Sequence, residues 1–350
     1  MSAKTKRSAN PSVSFWDFDL RKKTFVLLLL GLSLFGVAVW AGRVYIDRLN
    51  AQKVIVLVTR FDGDESKYAI RERVLEDIRL AARDMPQVEI IVSDELVSAK
   101  LGSAYARQLG EKAQADLVVW AWYQANVAPI ANVLVEDVSP AAPGMQLNTE
   151  ASLPQPNVAY LNSFQTRRAF DAQSDTFVNL ISALLNYKSG NYQAFLDRSA
   201  QVLAKKDIAD YVVPYDLDFY IGVSHTVRNE AELALEAYNL ALKANRKGGA
   251  ALSNRALAYI DLKEYDLAVK DCTTALVVDI QYVPAYNNRG IAYLGMKQYE
   301  RALEDFNNAI ARAPDDPRAY HNRALAYQAL GQTDYAALDL KKEAELRKNP

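Results

Sequence analysis

The chain has 350 residues, of which 50% are apolar and 24% charged, enough for two globular regions of ordinary composition. A net charge of -1 with no basic stripe excludes a general affinity for nucleic acid, since phosphate binding needs a local basic excess. The single cysteine, Cys272, excludes an internal disulfide and a cysteine-based zinc site, and reads as core packing within a helical pattern.

Residues 1–24 form a short tail carrying Lys4, Lys6, Arg7, Arg21, Lys22 and Lys23. Phe25 to Gly42 follows as an 18-residue run without charge, in which Ser33 is the one polar side chain. A helix of that length just crosses the hydrocarbon core. Trp16, Trp40 and Tyr45 flank it as interfacial aromatics do. An uncleaved transmembrane helix is expected, the alternatives being a cleaved signal peptide or a buried core helix. Six basic residues before the run against four just after it (Arg43, Arg48, Lys53, Arg60) place the N-terminus in the cytoplasm and the rest in the periplasm or outside the cell.

Residues 53–136 read as an α/β domain. Lys53 to Phe61 is a nearly continuous β-branched and apolar run, hence a buried strand. Ile70, Val74, Leu75, Ile78 and Ala81 have helical spacing until Pro86, and Val88 to Val92 is a second strand. A helix over Ser103 to Ala113, a strand over Leu117 to Tyr123 and a return strand near Ile130 to Val135 complete the alternation. That order predicts an α/β sandwich with right-handed crossovers. Arg60-Phe61-Asp62-Gly63, Ala106-Arg107-Gln108-Leu109-Gly110 and the run Ala115 to Trp122 resemble the TolB-type amino-terminal domain of bacterial envelope proteins. The resemblance implies sensing or adaptor work rather than catalysis.

Residues 137–170 break helices at Pro140, Pro143, Gly144, Pro154 and Pro156 and read as a linker, or as holding one more edge strand around Ser152 to Tyr160. Residues 171–214 carry a degenerate helical hairpin. From 215 to 350 one pattern recurs every 34 residues. Asn254, Arg255, Ala258 and Tyr259 return as Asn288, Arg289, Ala292 and Tyr293, then as Asn322, Arg323, Ala326 and Tyr327. Ala268, Ala302 and Ala336 align, as do Asp271, Asp305 and Asp339. Four units of this length, with small residues at Ala256, Gly290 and Ala324, resemble the tetratricopeptide repeat family. The chain is therefore expected to be an α+β multidomain protein: a transmembrane helix, a small α/β sandwich domain and a C-terminal α-solenoid of helical hairpins.

The family resemblance implies that the first helix of each hairpin lines a groove, with Asn254, Asn288 and Asn322 facing the backbone of an extended peptide. A side-chain amide offers a donor and an acceptor, so it pairs with a peptide group without reading sequence. Ser253, Asn287 and His321, and Ile291 and Leu325 one turn on, are further groove candidates. The alternative is that the asparagines only tie hairpins together. Tyr220 stands where the ladder would continue, so the groove is expected to span three units. Arg255, Arg289 and Arg323 should point to the neighbouring helix or the rim.

Catalytic chemistry is poorly represented. His225 and His321 lie in different repeats, no serine sits in a nucleophile elbow, and no phosphate cradle is present. Asp62, Asp64 and Glu65 read as helix capping rather than cation ligands, and no cofactor or metal is expected. Trp120 and Trp122 share one strand face, as core or as a ligand platform. The favoured reading is a membrane-anchored, non-enzymatic adaptor that binds a segment of a partner protein. The alternative is an envelope sensor whose α/β domain binds a small ligand and signals through the repeats. Leu338, Leu340, Ala344 and Leu346 on the last helix are a candidate surface for an end-to-end homodimer.

Overall fold

A computed structural model describes residues 53–62, 69–123, 130–138, 152–159, 161, 163–169, 175–205 and 214–348. The strand β1 (Val54–Arg60) is followed by α1 (Ile70–Ala81), β2 (Val88–Leu96), α2 (Gly102–Ala113), β3 (Leu117–Tyr123), β4 (Ile130–Asp137) and β5 (Ser163–Ala169). The sheet order is β2-β1-β3-β4-β5. β1 pairs in parallel with β2 and β3, and β4 and β5 return antiparallel. The continuous apolar run of β1 follows from its central place, for Val54, Val56, Leu57 and Val58 are all buried.

The first crossover leaves β1 toward one neighbour and the second returns past it to the other. Connections of one hand must then lie on opposite faces of the sheet. Accordingly, Ile70, Val74, Leu75 and Ile78 of α1 share a core with Val54, Val56, Val58 and Val119. On the other face Ala106 of α2 joins Leu57, Val118 and Trp120.

The remainder is helical: α3 (Asp175–Lys188), α4 (Tyr192–Leu203), α5 (Pro214–Val227), α6 (Ala231–Ala244), α7 (Gly249–Asp261), α8 (Tyr265–Val278), α9 (Val283–Gly295), α10 (Tyr299–Arg312), α11 (Pro317–Ala329) and α12 (Thr333–Lys348). Helix starts keep the 34-residue spacing at 249, 283 and 317 and again at 231, 265, 299 and 333. So do the left-handed residues in the turns within hairpins, Asn229, Lys263, Lys297 and Gly331. Small residues hold the close contacts: a Cβ on Gly290 would lie 2.5 Å from the fully buried ring of Phe306, and one on Gly222 would lie 2.4 Å from Tyr238. Ala256 and Ala324 occupy the same place in their repeats and are fully buried.

The expectation of a linker at 137–170 is corrected. Its end supplies β5, which completes the sheet, and residues 152–159 lie not at the sheet edge but against the repeats. The sheet is also fixed to the helices rather than free to move. One core runs from Val54 through α1 and α3 to Ala319, and Lys188 of α3 meets Asp137 of β4 at 2.9 Å with both side chains buried. Gln87 adds a hydrogen bond to Ser189 at 3.2 Å.

Among the described residues no helix is long and apolar enough to cross a membrane. The basic tail and the run Phe25 to Gly42 lie outside the described residues. On α12, Leu338 is 64% exposed and Ala344 is exposed, while Leu340 and Leu346 are half-buried.

Candidate functional site: an asparagine ladder holding an extended segment

The 34-residue period sets one asparagine per first helix, on α7, α9 and α11, and each is fully buried. Each pairs with both polar atoms of one residue in the segment at 155–159. Asn322 accepts from the Gln155 amide at 2.6 Å and donates to the Gln155 carbonyl at 2.8 Å. Asn288 does the same with Asn157, both at 2.9 Å. Asn254 accepts from Ala159 at 2.7 Å and donates to its carbonyl at 2.9 Å. One repeat therefore advances two residues of extended chain, and the segment runs from the last repeat back toward the earlier ones.

Alternation explains the prolines. In extended chain every second residue turns the same way, so the ladder needs amides at 155, 157 and 159 and none at 154 or 156. Pro154 and Pro156, which lack an N–H, cost no hydrogen bond there. They also push Leu153 and Gln155 toward the extended conformation that the groove holds.

The flanking candidates form a second row. Asn287 donates to the Gln155 carbonyl at 3.0 Å, and His321 Nε2 meets the Leu153 carbonyl at 3.0 Å while its Nδ1 faces Glu343 at 3.0 Å. Ser253 does not reach the segment among these bonds; its Oγ accepts from Asn288 at 3.1 Å and so buttresses the ladder. Asn322 likewise donates to Asn287 at 2.8 Å. Ile291 packs with Ala302, Phe306 and Ala326 between helices, and Leu325 is half-buried.

Tyr220 corrects the expectation of a three-unit groove. Its hydroxyl donates to the Leu161 carbonyl at 3.3 Å, so a fourth repeat continues the two-residue step with a single bond. Side chains of the segment are also engaged. Gln155 Oε1 accepts from Arg347, and Asn157 bonds Asn287 at 3.2 Å and Asp316 at 3.1 Å. Val158 and Ala159 are buried. These segment residues escaped the sequence reading; the alternation of prolines with amide-bearing residues was the available signal.

The ladder arginines face away from the segment, as expected. Arg255, Arg289 and Arg323 grip Asp271, Asp305 and Asp339 bidentately at 2.7–2.8 Å, joining the two helices of each hairpin. Those bonds raise each guanidinium pKa further. Trp120 lies under α2, its indole donating to the fully buried Glu136 at 3.1 Å, with the Trp122 ring tilted by 30° beside it at a centroid distance of 5.2 Å. Arg107 of α2 closes the same carboxylate at 2.8 Å. Asp62 accepts the Ala99 amide at 2.9 Å. Asp64 and Glu65 lie outside the described residues.

Two profiles of the tetratricopeptide repeat match the sequence at residues 283–316 and 306–337. The hairpins over residues 283–337 match the tetratricopeptide repeat, and the helices before them keep the same 34-residue spacing. No curated protein matches the chain in sequence. Similar solved structures include a crystal structure of MamA, 20% identical, covering 47% of this chain and 94% of that one with a TM-score of 0.41. Another is the part of MamA from residue 41 to its end, from Desulfovibrio magneticus RS-1, with 15% identity, coverage of 50% and 97%, and a TM-score of 0.44. A third is the first tetratricopeptide domain of human RPAP3, with 24% identity, coverage of 34% and 94%, and a TM-score of 0.33.

Proposed function

We infer that this protein is a membrane-anchored adaptor whose tetratricopeptide groove binds an extended segment of a partner protein. The observation that carries the reading is the pairing of Asn254, Asn288 and Asn322 with both polar atoms of alternate peptide groups. Such pairing suits an extended chain of almost any sequence and has no use in holding a small metabolite. The packed face around Trp120 and Trp122 favours the adaptor over the sensor alternative.

Anchoring is assigned to Phe25 to Gly42, with the tail in the cytoplasm and the repeats in the periplasm or outside the cell. Alkaline extraction of membranes should leave the chain in the pellet, and protease added to intact cells with a permeable outer layer should cut the repeats but not the tail. Release by alkali would remove the anchor from this reading. For the groove, affinity capture from detergent-solubilised membranes should recover a partner with the intact chain and lose it with Asn254→Ala, Asn288→Ala, Asn322→Ala combined. Equal recovery by both would sink the groove assignment.

A further inference from the structure

We propose that residues 153–159 are a built-in ligand of the groove, and that the outside partner is an extended peptide of the same chemistry which must displace them. This deepens the reading of the groove as a partner site and rests on it. Because the asparagines pair with any peptide backbone, selectivity comes from the side chains next to them. Gln155 is held by Arg347, Asn157 by Asn287 and Asp316, and Ala159 is only 3% exposed, which leaves room for a small side chain alone. The ligand pattern is glutamine, spacer, asparagine, spacer, small residue, with proline welcome before and after the glutamine. The partner strand runs from the last repeat toward the first, and its register is two residues per repeat.

Displacement is chemically simple. Each ladder bond goes to a peptide group, so an incoming backbone replaces the resident one bond for bond and no groove residue has to change its partner type. The resident segment keeps one advantage, its tether. Ala159 is four positions from Ser163 at the start of β5, so the segment competes as an intramolecular ligand at an effective concentration on the order of millimolar. A free peptide therefore meets a groove that is closed most of the time.

The test uses the full-length chain and a fluorescent peptide of residues 152–161, Ser-Leu-Pro-Gln-Pro-Asn-Val-Ala-Tyr-Leu. In the double variant Asn157→Pro, Ala159→Pro the resident segment loses the two amides that Asn288 and Asn254 accept from, while the groove itself is untouched. This variant should bind the peptide at least about tenfold more tightly than the parent chain, as loss of a tethered competitor requires. Changing the peptide's asparagine and glutamine to alanine should reverse most of that gain. Equal binding by both chains would overturn the built-in ligand and leave the groove reading standing; no binding by either folded chain would remove the groove reading itself. Should the double variant not fold, the parent chain carries the test by hydrogen exchange. Excess unlabelled peptide should speed exchange at the Asn157 and Ala159 amides, and unchanged rates with peptide bound would overturn the proposal.

Discussion

Lys188, on the first helical hairpin, and Asp137, at the end of β4, form a 2.9 Å ion pair with about one-twentieth of either side chain exposed. The pair bolts the sheet to the repeats at a point water does not reach. Lys188→Met removes the cation from this contact and should cost about 3–5 kcal/mol, whereas Lys188→Met with Asp137→Leu should recover most of the loss. Urea unfolding of the two variants checks this. A single variant as stable as the parent would show that the pair contributes nothing to the joint.

The ladder should respond to single substitutions in a graded way. Asn288→Ala removes both bonds to Asn157 and should destabilise by about 1–3 kcal/mol. Asn288→Asp keeps an acceptor for the Asn157 amide but loses the donor to its carbonyl and to Ser253, and adds a buried charge. Amide exchange at Asn157 should accelerate more in the alanine variant than its loss of global stability accounts for.

Close helix approach in the third repeat is set by Gly290. A Cβ there would meet the Phe306 ring at 2.5 Å, and that ring is fully buried. Gly290→Val should cost roughly 1–3 kcal/mol from overpacking. Thermal melts with Gly290→Val alone and with Phe306→Leu added should show partial rescue by the smaller partner.

Asp218 on α5 gives a pH dependence of defined sign. Burial pushes its carboxyl up to about 6, above the value of about 4 of an unfolded chain. The native state therefore holds this proton more tightly, and the associated stability is present below about pH 4 and lost as pH rises through about 6. Asp218→Asn should flatten that part of the curve, measured as the urea midpoint at pH 4.5 and pH 7.

Cys272 is fully buried on α8, and desolvation raises its thiol pKa well above the ordinary range. Thiolate is the reactive form, so iodoacetamide should leave the native chain unmodified at neutral pH and label it fully in denaturant. Labelling at native speed would mean that α8 opens locally.

Much of this architecture was legible because its causes are local. The run from Lys53 to Phe61, the helical spacing of Ile70 to Ala81 and the alternation around Trp120 each report the face a residue shows its neighbours, and the elements fall where those patterns put them. The repeats were legible from their period, and the ladder positions with them. What escaped was whatever depends on contacts distant in sequence. Residues 153–159 have no period of their own because their hydrogen bonds end on side chains 95 to 192 positions away. β5 hides for the same reason, since its pairing with β4 rather than its composition makes it a strand. Tyr220 looked like an interruption only because a phenol was not counted as a donor in an asparagine row.

The direction of the segment in the groove also sets an order of events on the ribosome. Gln155 to Ala159 are made before any ladder residue, and Asn254, Asn288 and Asn322 then emerge in that order. The side-chain partners of Ala159, Asn157 and Gln155 therefore become available in that order, after 95 to 167 further residues, or roughly 5–30 seconds of synthesis.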